Sequence, residues 1–355
     1  MKKKTETHPV YQLPDPWQKD THNVWLASSL ILTRNFAKFN FPASLDKSRQ
    51  QQIISLAYDG LKGSTQLKNP RLFHSDEIPP IEKEFLAEHF LITDGFYQAH
   101  EEGGFVIDES GLFLAGINLQ NHLQIYLLDT EQEIEKSWNK LGKIEESIGK
   151  MNDFAYNSQF GFLASNPAQS GTGLVITLFL HIPAIIQTGE LAELLEKEKE
   201  EEIEVSGLQG SPMEMIGDIL IARNACTLGV TEEYILTSLR MWATRAVVAE
   251  ISIRKKLQES SDEQIKNKVG RALGLLTHSY QLEVIEALNA LSLVKLGVEL
   301  GWIEAPPTLN LTKVFFNCRR AHLLHHLERK VDIPELPRQR SEYLQNIASQ
   351  LKLKI

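Results

Sequence analysis

The spacing of apolar residues changes twice along this 355-residue chain, from helical to strand-like and back to helical. Residues 1 to about 20 are polar and carry Pro9, Pro14 and Pro16, which predicts a tail, with the fold beginning near Val24. After Asp46 a helical pattern runs through Ile53, Ile54 and Ala57 to Leu61, and Pro79-Pro80 opens a second helix carrying Phe85, Leu86 and Phe90. The first hundred residues are therefore expected to be mostly helical. Three short β-rich runs follow at 105–107, 112–117 and 122–128, separated by Glu109-Ser110-Gly111 and Leu119-Gln120-Asn121. A helix over 131–151, a short apolar piece at 161–164, the loop 165–173 and an apolar strand to Ile182 complete this region. Strands and helices in blocks, without strict βαβ alternation, predict an α+β fold on an antiparallel sheet.

From Ser211 onward the period is helical, with segments predicted at 213–227, 231–258, 262–277, 280–300, 313–327 and 341–353. Ser261-Asp262-Glu263-Gln264 has the spacing of a capping box, which marks a helix start and a boundary near residue 259. The predicted organisation is a tail (1–20), an α+β domain (21–258) and a C-terminal helical domain (259–355). Leu191, Leu194 and Leu195 precede a Glu/Lys run at 196–204, which reads as a solvated helix end. Gly207, Gly210 and Pro212 predict a flexible loop over 206–214.

Composition narrows the function classes. A content of 42% hydrophobic and 23% charged residues suits a folded chain with a sizeable core. The net charge of −9, with acids concentrated at 190–204, argues against nucleic acid as a partner. Two distant cysteines, Cys226 and Cys318, lack metal-ligand spacing; they fit buried thiols in a reducing cytoplasm. The basic start is followed by Pro14, Asp15 and Pro16 rather than an apolar stretch, so it is not read as a signal peptide. The most apolar run, 173–182, is about half the length of a membrane helix, so no membrane span is expected.

The residues alone carry little chemistry. Neither a phosphate-binding Gly-x-x-x-x-Gly-Lys-Ser/Thr loop nor a Gly-x-Gly-x-x-Gly turn occurs, and Ser170-Gly171-Thr172-Gly173 reads first as a tight turn before a strand. His322 and His326 have the i, i+4 spacing of a helical metal pair, but no third ligand is evident and the segment reads as an amphipathic helix.

A resemblance goes further. Trp25 to Asn35, Pro80 to His89, Asn118 to Gln124, Asn166 to Leu174 with His181 to Ala184, and Leu291 to Gly301 are collinear with segments of the guanidino-kinase family, in its bacterial protein-arginine kinase branch. The resemblance covers about Val24 to Ile303 and implies that family's catalytic fold: an antiparallel sheet flanked by helices, with a helical domain after it. In the family an acidic pair positions a guanidinium, and arginines hold the ATP phosphates and the transferring group, a reaction dominated by positioning and charge stabilisation. The residues implied for those roles are replaced here. The five arginine positions fall on Ser29, Ile31, Gln124, Val175 and Ser206. The adjacent glutamates fall on Leu119 and Gln120, the aspartate on Asn121, the substrate-loop glutamate on Ser211 and the cysteine on Asn166. Arg34 matches an arginine position read as structural.

A charged hydrogen bond contributes about 1.5 to 3 kcal/mol, so five missing clamps remove about 7 to 15 kcal/mol against the roughly 8 kcal/mol of a micromolar ligand. Tight MgATP binding is therefore not expected, and neutral Gln120 cannot act as general base. The resemblance implies a pseudokinase without cofactor that works beside a zinc-binding adaptor and a Clp-type unfoldase, with a homodimer built from apolar helices in 259–327. The alternative is an active, MgATP-dependent phosphotransferase whose site is rebuilt from Arg223, Arg240, Arg245 or Arg271. The family's phosphoarginine-docking helix corresponds to Pro337 to Glu342, where Arg338 and Arg340 read as a solvated basic helix start.

Overall fold

Trp25 to Arg34 is buried at nine of its ten positions, and a segment covered on both faces shows no alternation. In the computed structural model, which describes residues 9–17, 24–92, 103–208, 214–260, 262–327 and 331–354, this segment is strand β1 (Trp25–Arg34). The first part of the chain is thus less helical than its pattern predicts. The further strands of unit-wide length are β2 (Arg71–His74), β3 (Gly104–Ile107), β4 (Phe113–Ile117) and β5 (Leu123–Asp129). A hairpin of β6 (Tyr156–Asn157) and β7 (Gly161–Phe162) precedes β8 (Leu174–His181), β9 (Ile203–Gly207) and β10 (Ile219–Asn224). A final pair, β11 (Ile303–Glu304) and β12 (Lys352–Leu353), lies near the C-terminus. The helices are α1 (Lys47–Lys62), α2 (Pro80–His89), α3 (Ile134–Gly149), α4 (Pro183–Thr188), α5 (Leu191–Lys197) and α6 (Glu232–Ser260). They continue as α7 (Glu263–His278), α8 (Val284–Glu299), α9 (Leu311–Asn317), α10 (Arg320–His326) and α11 (Leu336–Ala348).

Eight strands hydrogen-bond in the order β2-β3-β4-β5-β1-β8-β10-β9, and β2 to β5 and β1 pair antiparallel. This is the antiparallel, helix-flanked α+β architecture. Two expectations change. Residues 219–224, predicted helical, form β10, because Ile219-Leu220-Ile221-Ala222 is an apolar run buried throughout and without helical period. Ser206 lies on β9 rather than in a loop.

By its contacts the chain divides into two compact units, Met1–Pro16 with Ala27–Thr177 and Arg223–Leu239, and Trp17–Leu26 with Leu178–Ala222 and Arg240–Ile355. In the first, Asp46 caps α1 by accepting from the Arg49 amide, and α1 meets α3 where a Cβ on Gly60 would lie 3.0 Å from Ile148. In the second, α7 and α8 approach closely at Gly297, whose Cβ would lie 2.5 Å from Val269. Asp262 caps α7, accepting from the amides of Gln264 and Ile265, while Ser261 lies outside the described residues. The last helix begins at Leu336, five residues earlier than predicted, and ends at Ala348 before β12. Cys318 is buried, but Cys226 is only half-buried, contrary to expectation. No described helix is long and apolar enough to cross a membrane.

Candidate functional site

In the first unit the Gly-rich loop is shaped by its backbone. Gly171 has φ 103°, and a Cβ there would stand 2.1 Å from the Thr227 carbonyl; Gly173 has φ 62°, with the Thr33 carbonyl 2.7 Å from its would-be Cβ. Only glycine fits such closeness and such φ. Thr172 donates its amide to Thr227 at 2.9 Å, while the Thr227 hydroxyl donates to the Ser170 carbonyl at 2.7 Å. Arg34 braces the same loop from β1. Its guanidinium donates to the carbonyls of Thr33 and Thr172, both at 2.8 Å, pairs with Glu145 at 2.5 Å and lies 3.5 Å over the Phe162 ring. It is 1% exposed, and burial lowers its pKa against the opposing pull of Glu145. This arginine serves the fold.

The segment Asn118 to Gln124 is framed in the same way. Asn35 donates to the Asn121 side-chain oxygen and to the Leu163 carbonyl, both at 2.9 Å, and accepts from the His122 amide at 2.8 Å. The Phe36 amide donates to His122 Nδ1 at 2.9 Å, so Nε2 carries the proton and donates to the Asn40 carbonyl at 2.7 Å. Both nitrogens are used, the imidazole is neutral, and burial lowers its pKa. Asn121 Oδ1 also accepts from the Ser165 amide, whereas its buried Nδ2 has no hydrogen-bond partner. A carboxylate would present an acceptor there instead.

The implied catalytic and phosphate-binding positions are occupied as follows. Leu119 is 8% exposed and folds back over β4, its Cδ1 only 2.4 Å from where a Cβ on Gly116 would stand. Gln120 is exposed at the turn into β5. Asn166 is exposed and caps the short turn Pro167–Gln169 by accepting from the Ala168 amide. Ser211 lies outside the described residues. Strands β1, β5 and β8 each have one position that is not buried, and these are Ile31, Gln124 and Val175. Gln124 pairs with Thr33, two residues from Ile31, so both side chains share one face. The Thr33 amide donates to the Gly173 carbonyl at 2.9 Å, which sets Val175 alongside Ile31. Three of the five implied arginine positions therefore lie side by side on one face of the sheet, half-buried and uncharged. Ser29 is on the same face but 2% exposed, and Ser206 is half-buried on β9 in the second unit.

The four substitute arginines each have surroundings of their own. Arg223 is the half-buried position of β10. Arg240 lies 5.2 Å over the Trp25 ring, and Arg245 is paired with Glu198 and Glu200, so the acidic run is partly engaged rather than simply solvated. Arg271 lines a cavity of about 530 Å³ with Lys266, Asn267 and Leu353. In the docking-helix region Arg340 is not solvated: it is buried and donates to the carbonyls of Cys318 and Leu282, each at 2.9 Å. Arg338 is exposed, paired with Glu342 at 3.1 Å.

The second unit holds two buried polar clusters that sequence reasoning missed, since partners as far apart as His181 and Ser292, 111 residues, meet in them. Ser292 donates to Asp218 at 2.5 Å and contacts His181 Nε2 at 2.8 Å; Asp218 also accepts from Gln187 at 3.1 Å. Burial pushes the Asp218 carboxyl up to about 6, opposed by the Ser292 and Gln187 hydrogen bonds. Glu250 accepts from the amides of Ala184 and Ile185, both at 2.9 Å, and pairs with Arg254 at 2.7 Å; burial raises its pKa. Arg254 in turn pairs with Glu299, which Lys295 meets at 3.2 Å.

Comparison with known proteins agrees with this geometry. Residues 51–252 match the family described as ATP:guanido phosphotransferase, C-terminal catalytic domain, and residues 262–354 match the protein-arginine kinase McsB C-terminal domain. The chain is 36% identical over 303 residues to the protein-arginine kinase of Chlamydia pneumoniae, covering 85% of this chain and 84% of the relative. It is 33% identical over 300 residues to that of Chlamydia muridarum, covering 83% of each. Among solved structures, a lombricine kinase superposes with a TM-score of 0.56 at 16% identity, over 72% of this chain and 71% of that one. A duplicated taurocyamine kinase from Schistosoma mansoni gives 0.55 at 19% identity, over 69% of this chain and 35% of that one. Both are likenesses of fold. The chain belongs to the protein-arginine kinase family of ATP:guanido phosphotransferases.

Proposed function

We propose that this chain is a non-catalytic member of its family that acts by binding other proteins. The observation that carries the reading is the half-buried trio Ile31, Gln124 and Val175 on one face of the sheet, where phosphate recognition calls for cations and the chain offers none at those positions. Leu119 adds to it, because a buried aliphatic chain stands where a carboxylate would orient a guanidinium. By family resemblance the partners are a zinc-binding adaptor and a Clp-type unfoldase, in protein quality control in the cytoplasm. Calorimetric titration with MgATP and MgADP tests the first part: heat of binding in the micromolar range refutes it. Affinity capture that recovers neither adaptor nor unfoldase refutes the second.

Arg223, at the half-buried position of β10, favours a second reading in which a rebuilt site retains MgATP and phosphorylates arginine in proteins. That reading requires phosphoarginine on a basic protein after incubation with MgATP. It also requires Gln120→Glu with Gln124→Arg to change the activity little.

A further inference from the structure

The pairing of β11 with β12 leaves one backbone edge open. Ile303 stands opposite Leu353, and the Lys354 amide donates to the Trp302 carbonyl at 2.8 Å. In an antiparallel ladder this makes Ile303 and Leu353 a pair that exchanges no hydrogen bond of its own, so the Leu353 amide and carbonyl point away from β11. The two strands form a sheet by themselves among the described residues, and Leu353 is 41% exposed. Beside it lies the cavity of about 530 Å³, walled by Glu263, Lys266, Asn267, Gly270 and Arg271 of α7. Leu353 lines this cavity and, among the described residues, none of β11 does, which puts the cavity on the outer side of β12. Its side chains are cationic on balance, in a chain whose net charge is −9. Lys266 lies 5.5 Å over the Trp302 ring, which favours the ammonium there. Among the described residues neither Lys266 nor Arg271 is within ion-pair distance of a carboxylate, although Glu263 borders the same cavity.

We propose that this edge receives an extended, acidic segment of a partner protein, added to β12 as a third strand with its carboxylates against Lys266 and Arg271. Backbone and charge together select that occupant. An outward amide and carbonyl on one residue are matched by the backbone of another strand, which is how strand addition gains affinity. Side chains of the added strand alternate, so every second one lies on the face of the Leu353 side chain. Carboxylates at those positions meet an ammonium, a guanidinium and the Asn267 amide, and hydrogen bonds between charged groups are the stronger kind. The volume falls within the range of ligand sites, about 300 to 1,000 Å³. Arg338 and Arg340, matched to the family's docking helix, do not line the cavity, so the site is a separate one. It lies outside the positions implied for catalysis, and the proposal stands whether or not the chain phosphorylates arginine.

Fluorescence anisotropy of the full chain with a labelled peptide of alternating glutamate and threonine tests this. The peptide should bind with a Kd below about 1 mM at low salt, and raising salt from about 50 to about 500 mM should weaken it at least about fivefold. The same peptide with glutamine for glutamate should bind at least about tenfold more weakly. Lys266→Gln with Arg271→Gln should cause a loss of the same size while circular dichroism stays unchanged. N-methylation of alternate peptide amides should weaken binding for one set and spare the other, because only half of a strand's amides face its neighbour. Absence of binding overturns the proposal, as does equal binding of the glutamine peptide or indifference to the double substitution. Methylation that acts on both sets alike, or on neither, shows a site for anions in general and overturns it too. Sedimentation that reveals association between copies, dispersed by the peptide, assigns the edge to a second copy and overturns the partner named here.

Discussion

Replacing Asp218 with asparagine should uncouple part of the stability from pH. In the unfolded chain this carboxyl titrates near 3.8; folded, it titrates near 6, because burial disfavours its charge and the nearby Glu250 adds to that, while Ser292, Gln187 and Lys268 oppose it. Between these values the folded protein keeps a proton that the unfolded chain has released. The favourable contribution is therefore complete below the unfolded value and lost as pH rises through the folded one. The gap corresponds to about 3 kcal/mol, lost by about pH 7. Asparagine has the same shape, tolerates the positive φ of 52° and remains neutral throughout. The hydrogen bond it forfeits, about 1 kcal/mol, is the same at every pH and cancels in the comparison. From pH 4.5 to pH 8 the variant should gain about 2 kcal/mol on the wild type, which is about 3 °C in melting temperature for a chain of this length. Scanning calorimetry of both proteins at the two pH values measures it. A difference that does not change with pH would refute the assignment of a raised carboxyl to Asp218.

Other outcomes follow from the same contacts. Arg34→Ala leaves Glu145 and two carbonyls without their donor and should destabilise by about 3 to 5 kcal/mol, seen as a lowered melting temperature. Gly171→Ala places a Cβ against the Thr227 carbonyl at a φ of 103° and should cost more than about 3 kcal/mol or prevent folding, read from soluble yield and thermal unfolding. At the half-buried positions of β1, β5 and β8, Ile31→Arg, Gln124→Arg and Val175→Arg should each be tolerated to within about 1 kcal/mol, whereas Ser29→Arg, at a 2% exposed position, should destabilise by more than about 3 kcal/mol in the same denaturation assay. The triple arginine variant should raise affinity for MgATP in calorimetry; no change would argue that this face of the sheet is not the phosphate-binding face.

The helices α1, α3, α6 and α7 were legible because each buries one stripe and leaves much of the rest in water, which writes a helical period into the residues. Strands β1 and β10 were not: with both faces covered, Trp25-Leu26-Ala27 and Ile219-Leu220-Ile221 offer continuous apolar runs in which strand and helix look alike. The positions implied for the site could be named by collinearity with the family. That Ile31, Gln124 and Val175 lie side by side on one face could not be, because exposure is set by strand order and register. Nor does any local pattern mark Asp218, Ser292 and His181, or Arg340 with its carbonyls at residues 282 and 318, as partners; each lies on a separate element.

The glycines of the 170–173 loop bear on how such families are recognised. Their backbone sits against Thr33 and Thr227, so a side chain is excluded whether or not a phosphate is ever bound. A signature dictated by the scaffold outlives the reaction it is used to diagnose. Matching that loop therefore identifies a lineage, and catalytic competence has to be judged from the few positions that open to solvent and are free to vary.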